Sequence, residues 1–564
     1  MRNIIIIDAI STGKNFIYDI ISRGYNPVVI QSKVSGDSPE IKEYIEYVEG
    51  DLNSIEYDFE WIHEKDTYEE TLEMVREYDP LLVLPGNERG VVLASKLAND
   101  LGLMCNPIEN LDAMTLKDEM QKKLAENNLR HIRGQAITSI DEAIKFYDDE
   151  NLKQVVIKPI YSAGSSSVRI CANKEEMIAS LNELFNETNY YGEENHELLI
   201  QEFIQGDEYI VNTVSCQGDH RVTLVWKYHK VRTSEGAMIY DTCQTVNELN
   251  IGESEMIEYA YKVADALGIQ YGPVHGEYMI DDDGPVLIEV NCRPCGGHMD
   301  SEFLDRISGQ HETDSILDSY LKPEHFLEEK KKPYRLFAHG VIKFFIAPKD
   351  ILAESSPMAN ISLKLASHYK SSLPNSFETL HPFAKTIDLN SSCGFVYLVH
   401  DNLFVLHHDL EFLRKVESKA FNLILSENNR DSITIDEEKS IKDSIELLDA
   451  GEIYGTTLFV TDQKIDRTCV QAGSDEISDL HATYDCVIVN LNSSLVTKKE
   501  DEIAEIFLNI FTKVKVGGLI FVPETTYQCL ISKRRGMEAL LKTLNLRIEL
   551  PPNGIEGVII ASKT

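Results

Sequence analysis

The stretch that decides the fold lies at residues 275–291, HGEYMIDDDGPVLIEVN. Two apolar runs flank the turn-forming sequence DDDG, a pattern that predicts two antiparallel strands joined by a tight turn. With the turn centred near Asp283, Glu277 lies opposite Glu289, and Asn291 shares their face because side chains alternate along a strand. The sequence therefore predicts two carboxylates and an amide oxygen at one place on a sheet.

Glu277, Glu289 and Asn291 are predicted to bind magnesium. Like charges opposite one another destabilise a hairpin, and apolar neighbours make an unpaired charge costlier still. A divalent cation removes both penalties, because magnesium accepts carboxylate and amide oxygens and leaves other positions to water and phosphate. Arg293 follows directly and adds a cation. The alternative is a pair of surface glutamates on an edge hairpin.

Lys158 and the small residues after it form a candidate phosphate site. The lysine belongs to the predicted strand VVIKP at residues 155–159, and SAGSSS follows at residues 162–167. Such a loop can fold over a polyphosphate with backbone N–H groups and hydroxyls, including those of Ser165 and Ser166. The lysine adds a point charge. Taken alone, the pattern is also that of an ordinary turn between strands.

A third segment, LIQEFIQGDEY at residues 199–209, is suited to an adenosine site. An apolar strand that ends in a short turn can present its backbone to the adenine edge, and a carboxylate there can accept from ribose hydroxyls. The alternative is an ordinary strand–turn–strand. The turn at residues 11–14, STGK, could touch a phosphate but lacks the glycine spacing of a dinucleotide site, so a plain strand-to-helix turn is favoured.

The composition narrows the class of protein. The 564 residues include 93 acidic and 54 basic side chains, for a net charge of −39, which argues against binding to nucleic acid. We expect no targeting signal and no membrane span, because no apolar run is long enough. Ten dispersed cysteines favour a reducing cytoplasm. The C-x-x-C spacing of Cys292 and Cys295 is attributed to coincidence.

The pattern of apolar runs predicts a mixed fold, α/β at both ends and α+β between them. A polar stretch at residues 426–431 marks a boundary, and residues 430–564 are predicted to form a separate α/β domain. Strands are expected at residues 4–8, 27–31, 81–85, 154–159, 168–171, 198–203, 208–215, 222–228, 337–346, 393–400, 457–461, 486–490, 519–523 and 557–561. Helices are expected at residues 116–127, 254–267, 500–512 and 535–544.

Taken together and in this order, the three segments resemble the ATP-grasp superfamily. The resemblance covers roughly residues 1–425 and includes PGNERG at residues 85–90, which is similar to the family's G-x-E-x-G segment. Within the superfamily, EVNCRPCGGH at residues 289–298 is most similar to the L-amino acid ligases and other carboxylate–amine ligases, whose signature is E-x-N-x-R-x-x-G-G.

The resemblance implies a role for each matching residue. Glu277, Glu289 and Asn291 are the implied metal ligands, and Arg293 stabilises the transferring phosphoryl group together with Lys158. The implied ATP-contacting residues are Lys117, Lys158, Ser165, Ser166, Glu202, Phe203, Ile204 and Glu208. The implied substrate residues are His275, Arg293, Gly296, Gly297 and His298, with the two histidines equally able to be structural. Lys227 and Arg232 fall where the family often places a basic residue near the phosphates.

The resemblance also implies domains and activity. Residues 1–105 would be an α/β pre-ATP-grasp domain, and residues 106–425 a two-subdomain ATP-grasp core with a lid at about 130–205. The expected enzyme is an ADP-forming carboxylate–amine ligase that works through an acyl phosphate. It would use ATP and Mg2+, with two ions expected and Mn2+ able to substitute, on small-molecule substrates. No nucleic acid or membrane is expected, and a homodimer is one assembly that fits.

Two other functions stay open on the sequence alone. One is activation of bicarbonate, as in biotin carboxylase or carbamoyl-phosphate synthase; the other is a non-catalytic nucleotide-binding scaffold. The four residues at 277, 289, 291 and 293 argue against the scaffold, since binding alone would not need them all. The C-terminal domain weakly resembles the second half of a Rossmann methyltransferase. It lacks the G-x-G core at residues 449–455, so a structural, oligomerising or substrate-shaping role is favoured.

Overall fold

The computed structural model divides the chain into two compact units. The first holds residues 1–342, 387–390 and 399–403, and the second holds the remainder. The described residues are 2–34, 39–160, 168–187, 195–232, 238–297, 299–353, 358, 362–363, 365–372, 381–389, 391–423, 457–461, 470–472, 484–491, 506, 510, 514–523, 548–549 and 557–560. The predicted domain limits near residues 105 and 430 stay predictions.

A four-stranded parallel sheet opens the first unit, with strand order β3-β2-β1-β4. Ile4, Ile5, Ile6 and Ile7 have no exposed surface, because helices cover both faces of a parallel sheet and the central strand is apolar throughout. The strands are β1 (Asn3–Ile7), β2 (Asn26–Gln31), β3 (Glu60–His63) and β4 (Pro80–Pro85). The helices are α1 (Asn15–Ser22), α2 (Pro39–Asn53), α3 (Tyr68–Glu77) and α4 (Gly90–Asp100).

The carboxyl ends of β1 and β4 meet where the strand order reverses, the usual ligand-binding edge of such a sheet. A 3-10 turn at Ser11–Lys14 follows β1, and Lys14 forms an ion pair with Asp51. The turn after β4 packs closely against the residues that follow β1, so that a Cβ on Gly86 would lie 2.6 Å from the Asp8 carbonyl oxygen. Glycine is therefore required there, and it sets the position of Glu88 two residues later.

A small antiparallel sheet of order β5-β8-β6-β7 follows two short helices. Its strands are β5 (Gly134–Ile137), β6 (Val155–Pro159), β7 (Arg169–Cys171) and β8 (Leu198–Glu202). The helices of this region are α5 (Leu111–Thr115), α6 (Lys117–Glu126), α7 (Ile140–Asp149) and α8 (Lys174–Leu184). The last two pack on one face of the sheet and bury Phe146, Met177 and Leu181 against it.

A larger antiparallel sheet carries the hairpin, in the order β13-β12-β9-β10-β11, with β14 beside β11. The strands are β9 (Asp207–Cys216), β10 (Asp219–Arg232), β11 (Met238–Thr245), β12 (Gly272–Asp281), β13 (Gly284–Asn291) and β14 (His339–Phe344). The helices are α9 (Ile251–Leu267), α10 (Ser301–Ser308), α11 (Glu312–Leu321) and α12 (Pro323–Lys330). Met256, Val263 and Leu267 of α9 pack on the hairpin, and a capping box at Asn250 fixes where that helix begins.

An ionic contact joins α11 to α1. His311 hydrogen-bonds through Nε2 to Asp19 at 3.0 Å and through Nδ1 to Asp305 at 2.9 Å. Burial disfavours the imidazolium, but the two carboxylates outweigh it and raise the pKa of His311 to about 10. Arg23, which directly follows α1, also pairs with Asp314. Charged contacts therefore hold the first sheet against the larger one.

We expect His311→Gln to lower the free energy of unfolding by about 2 kcal/mol at pH 6, the size of a hydrogen bond to a charged group. The folded-state pKa lies above the ordinary 6.5, so this stabilisation is complete below pH 6.5 and is lost as the pH rises through about 10. Thermal unfolding of the wild type and the variant, at pH 6 and above pH 10, measures the difference in their stability at each pH. His325→Gln, at an exposed site of α12, is the control. An equal loss at both pH values would contradict the assignment.

The second unit combines a small strand pair with further strands. It includes β15 (Ile351–Ala353), β16 (His368–Ser372) and β17 (His381–Phe383), together with most of β18 (Phe395–His400) and of α13 (Leu403–Leu423). Lys343, with no exposed surface, pairs with Glu417 at 2.8 Å. The later strands are β19 (Thr457–Thr461), β20 (Val470–Ala472), β21 (Tyr484–Asn490), β22 (Val514–Pro523), β23 (Ile548–Glu549) and β24 (Gly557–Ile560).

These later strands form one mixed sheet of order β20-β19-β21-β22-β24-β23. The first four strands run parallel, and β24 is antiparallel to both of its neighbours. The predicted α/β and α+β fold class is confirmed, while the methyltransferase resemblance stays a prediction. The helices expected at residues 500–512 and 535–544 lie largely outside the described residues. No described helix has the length and apolar character needed to cross a membrane.

Candidate active site

The hairpin forms in the register that the sequence predicts. Glu277 pairs directly with Glu289, and His275 pairs with Asn291. The turn lies at residues 282–283, and a bulge after Glu277 shifts the pairing of the remaining residues. A bulge re-aims the side chains next to it, which is common beside active sites. The two carboxylates are therefore held at one place on the outer pair of strands.

Asn291 lies between two carboxylates. In the orientation that satisfies its amide, the side-chain nitrogen donates to Glu88 Oε2 at 2.7 Å and Oε1 at 3.2 Å. The amide oxygen then takes the position 3.3 Å from Glu289 Oε1. Two oxygens that face each other at this distance suit a shared cation, because neighbouring ligands of octahedral magnesium are about 3 Å apart. This orientation therefore fits the predicted metal site.

The donor set as a whole also fits magnesium. Two carboxylates and one amide oxygen are hard ligands that leave several positions for water and phosphate. Among the described residues, no three His, Cys, Asp or Glu side chains gather in a way that could hold a metal ion. The predicted site has only two acidic ligands, so it depends on the amide oxygen of Asn291 and on ligands that a bound nucleotide supplies.

Two lysines neutralise the carboxylates. Lys117 Nζ lies 2.8 Å from Glu289 Oε2, although Lys117 begins α6, where the helix dipole disfavours a cation. Burial opposes ionisation of Glu289, but Lys117 and Lys158 outweigh it and hold the pKa of Glu289 at about 2. Burial, with repulsion from Lys117, lowers the pKa of Lys158 to about 8 despite the attraction of Glu289. Both lysines therefore face the predicted phosphate and metal site.

Arg293 is fixed by Glu88, a residue of the turn that follows β4. Its Nε donates to Glu88 Oε2 at 3.0 Å, and both side chains are mostly buried. Burial opposes the charge of Arg293, yet Glu88 and other nearby acids raise its pKa, so the guanidinium stays cationic. Sequence reasoning placed Glu88 in a G-x-E-x-G segment but gave it no role. The structure makes it the shared partner of Arg293 and Asn291.

Glu208 is partly buried beside the metal-site carboxylates and paired with a lysine. Lys230 Nζ lies 2.7 Å from Glu208 Oε1 and 4.3 Å from the ring centre of Tyr240. Burial raises the pKa of Glu208 more than Lys230 lowers it. Lys227 pairs with Asp207 at 2.6 Å. The side chain of Arg232 is not among those described. Lys230, which the sequence reasoning passed over, is thus the strand-β10 lysine nearest the predicted ribose acceptor.

The predicted adenine segment joins the two sheets of the ATP-binding region. Glu202 ends β8, and its carboxylate binds Arg133 through Nη2 at 2.6 Å and Nε at 2.9 Å. Phe203 donates its N–H to the Gln154 carbonyl at 3.2 Å. A Cβ on Gly206 would lie 2.3 Å from the Ile280 carbonyl oxygen, so the turn runs directly against the hairpin. Any contact of Glu202 with adenine would involve its backbone.

His275 lies on β12, between Asn291 of β13 and Asn212 of β9. Its Nδ1 is 2.9 Å from Asn212 Oδ1, and its Nε2 is 3.6 Å from Glu277 Oε1. Burial disfavours the imidazolium, but Cys295 and Glu277 favour it more and raise the pKa of His275 to about 10. The seven cysteines whose side chains are described, including Cys292 and Cys295, are free thiols. The side chains of His275 and Cys295 thus adjoin the glycine pair that follows.

Gly296 and Gly297 form the predicted substrate nest, and Gly297 has a positive φ of 82°. Met299, just beyond them, donates its N–H to Thr12 Oγ1 at 2.9 Å and accepts from Asn15 Nδ2 at 2.8 Å. The turn at residues 11–14 therefore holds the end of this loop. His298 and the loop with Ser165 and Ser166 lie outside the described residues.

The chain is similar to known enzymes in both sequence and structure. A family model of the ATP-grasp domain matches residues 152–302. Residues 152–302 form an ATP-grasp domain. Dapdiamide A synthase of Enterobacter agglomerans is 28% identical over 428 residues, which cover 74% of this chain and 97% of that protein. The predicted reaction class is confirmed: the chain is an ADP-forming, ATP-dependent carboxylate–amine ligase of the ATP-grasp type.

Two solved structures establish the fold of the ligase. The L-amino acid ligase from Bacillus licheniformis superposes with a TM-score of 0.55 at 16% identity, over 75% of this chain and 97% of its own. The phosphoribosylglycinamide synthetase from Anaerococcus prevotii superposes with a TM-score of 0.50 at 17% identity, over 73% of this chain and 98% of its own. At these identities the likeness shows the fold alone. Enzymes of the ATP-grasp family bind ATP, typically with Mg2+, and the ligases among them use small carboxylates and amines.

Proposed function

We propose that the ligase joins an amino acid, through its carboxylate, to the amine of a second small molecule. The single observation that carries this proposal is the convergence of Glu277, Glu289, Asn291 and Arg293 at one place, with the glycine pair at residues 296–297 following Arg293 directly in the loop. Dapdiamide A synthase and the L-amino acid ligase, whose names specify amide products and amino acid substrates, support it. The same convergence gives no preference to bicarbonate.

We assign the ATP site to the space between the two antiparallel sheets of the first unit. Lys117 and Lys158 provide cations for the phosphates, since both are buried beside Glu289. Backbone groups of residues 202–204 would meet the adenine, and Glu208 would accept from the ribose. We retain Ser165 and Ser166 as predicted phosphate contacts. We expect two Mg2+ ions on Glu277, Glu289 and Asn291, replaceable by Mn2+; they would neutralise charge on the phosphates.

The proposed reaction has two steps. The substrate carboxylate attacks the γ-phosphorus of ATP, the bond to the bridging oxygen breaks, and ADP leaves. The amine then attacks the acyl carbon, the C–O bond to phosphate breaks, and the amine loses a proton. Arg293 is placed to neutralise the equatorial oxygens of the transferring group, which carry the developing charge. Gly296 and Gly297 would orient the carboxylate through their N–H groups.

The remaining features of the proposal concern partners and location. The net charge of −39 supports small-molecule rather than nucleic-acid substrates. We propose a cytoplasmic enzyme, from the dispersed cysteines, and a homodimer as its assembly. Residues 430–564 are proposed to have a structural, oligomerising or substrate-shaping role.

The proposed substrate class is tested by ADP and phosphate release from the purified full-length chain. Magnesium-ATP is supplied with pools of amino acids, and separately with small carboxylic acids that lack an amino group. We expect stimulation by particular amino acids, and none with Glu289→Ala. Stimulation by bicarbonate alone would replace the proposal with carboxylation chemistry.

We expect Glu208→Gln to raise the KM for ATP about tenfold, the effect of losing a hydrogen bond to a charged group, with a smaller change in kcat. If Glu208 accepts from the ribose, 2′-deoxy-ATP is a poorer substrate than ATP for the wild type, and the variant discriminates less. Asp207→Asn is the matched control, because Asp207 is the adjacent acid and is exposed. Unchanged discrimination in Glu208→Gln would refute the ribose assignment.

A further inference from the structure

A small cavity lies behind the substrate loop, within the first unit. Its volume is about 10 Å³, and its lining includes Asn212, Trp226, Met299, His311 and Glu312. A space of this size holds the centre of one water-sized molecule and nothing larger. The cavity is separate from the metal-site side chains, which do not line it.

Two of the residues that line the cavity each have a buried polar atom with no hydrogen-bond partner among the described residues: Trp226 Nε1 and Glu312 Oε1. Trp226 has no exposed surface, and Glu312 is 5% exposed. A buried polar group without a hydrogen-bond partner lowers the stability of the fold by about 1–3 kcal/mol, so native structures seldom contain one. One of the two atoms can only donate, and the other belongs to a carboxylate.

The chemistry of these two atoms selects the occupant. An ammonium ion offers only donors and could not accept from the indole N–H. A halide or other anion would be repelled by the carboxylate. Water can accept from Trp226 and donate to Glu312 at the same time, and its size matches the cavity.

The other oxygen of Glu312 holds the substrate loop. Glu312 Oε2 accepts from the Cys295 N–H at 2.9 Å, immediately before Gly296 and Gly297. The far end of the loop is fixed through Met299 and Thr12. Glu312 thus connects the loop to the cavity and, through it, to strand β10. It does not touch the predicted reacting atoms, so its role is to position the backbone.

We propose that the cavity binds one ordered water molecule between Trp226 and Glu312, and that Glu312 and this water position the backbone N–H groups at residues 295–297 for the substrate carboxylate. The water site stands on the cavity and its two unpartnered atoms. The positioning role rests on the proposed function, since it assumes that Gly296 and Gly297 contact the substrate.

The water site is tested first, by a crystal structure of the full-length chain at a resolution that locates waters. We expect one peak within hydrogen-bonding distance, about 2.7–3.2 Å, of both Trp226 Nε1 and Glu312 Oε1. An empty cavity, or a protein group bonded to both atoms, would overturn the proposal. This result does not depend on turnover, so it stands even if the proposed function fails.

The positioning role is tested by kinetics, with the amino acid that gives turnover in the pooled assay. We expect Glu312→Ala to raise the KM for that amino acid about tenfold, because a small misplacement of binding groups is costly, while the KM for ATP stays within about twofold. Glu312→Gln can still accept a hydrogen bond from the Cys295 N–H, so its KM for the amino acid should stay close to that of the wild type. Glu324→Ala, at an exposed glutamate of α12, is the control.

Two outcomes would reject the positioning role of Glu312. An equal rise in both KM values, together with a lower unfolding temperature, would show that Glu312 is only structural. Failure of Glu312→Gln to recover the loss would show that the contact with Cys295 is not what matters. If Glu312→Ala does not fold, Trp226→Phe removes the donor to the water and keeps Glu312. We then expect a rise of about threefold in the amino acid KM, the lower end for one neutral hydrogen bond, and no rise would reject the proposal.

Discussion

Replacing Arg293 with alanine is expected to lower kcat by about 10³-fold or more, the range found when an arginine that neutralises a transferring phosphoryl group is removed. The guanidinium is buried, cationic and held by Glu88 beside the metal-site residues. ATP affinity should change much less, because the lost interaction forms mainly in the transition state. Single-turnover ADP formation, together with equilibrium binding of ATP, measures the two effects separately.

The controls for Arg293 separate charge, geometry and stability. Arg293→Lys keeps a charge but loses the planar fork that reaches Glu88, so only partial activity is expected. Arg293→Ala also leaves Glu88 without its partner, and Arg293→Ala with Glu88→Gln removes that unpaired charge. Arg335→Ala, at an exposed position, should behave as the wild type. An inactive double variant of normal stability would support a catalytic role, whereas restored activity would make Arg293 only a partner for Glu88.

Replacing Glu289 with glutamine is the second large effect, with an expected loss of about 10³-fold in kcat, within the range for one group that stabilises transition-state charge. Glutamine keeps the shape but removes the charge that pairs with Lys117 and is predicted to bind metal. Binding of Mn2+, measured by electron paramagnetic resonance with ADP present, should weaken in parallel.

Glu119→Gln is the matched control, since Glu119 is a glutamate of α6 that pairs with Lys122 away from the site. Its activity and Mn2+ affinity should match the wild type. If Glu289→Gln binds Mn2+ normally but does not turn over, then Glu289 acts through Lys117 rather than as a metal ligand. Full activity of Glu289→Gln would remove the hairpin from the active site altogether.

The sequence could predict those parts of the fold and site that depend on local pattern. The hairpin register follows from a short turn and the period of a strand, so the sequence alone predicts that Glu277 lies opposite Glu289. Buried strands such as β1 and β4 are continuous apolar runs. Strands β3, β5 and β11 were not predicted, because each is short or mixes polar residues into the run, and pairing with neighbours decides its conformation.

The remaining features depend on contacts between distant parts of the chain. Glu88 lies 205 residues before Arg293, and nothing in either segment specifies their contact. The same holds for Lys230 with Glu208, where a spacing of 22 residues reflects the path from β9 to β10. Glu312 and Cys295 are 17 residues apart, and the bond between them depends on where α11 begins. Pairings of this kind follow from how sheets and helices pack, which one sequence does not reveal.

The proposed enzyme activates a carboxylate by transfer of the γ-phosphoryl group from ATP. This step can be followed with the amino acid that gives turnover, labelled with ¹⁸O in its carboxylate. Each turnover is expected to transfer one ¹⁸O atom to the released phosphate, because the acyl C–O bond breaks when the amine attacks. Label in AMP, or phosphate free of label during amide formation, would rule out the acyl phosphate and with it the proposed reaction.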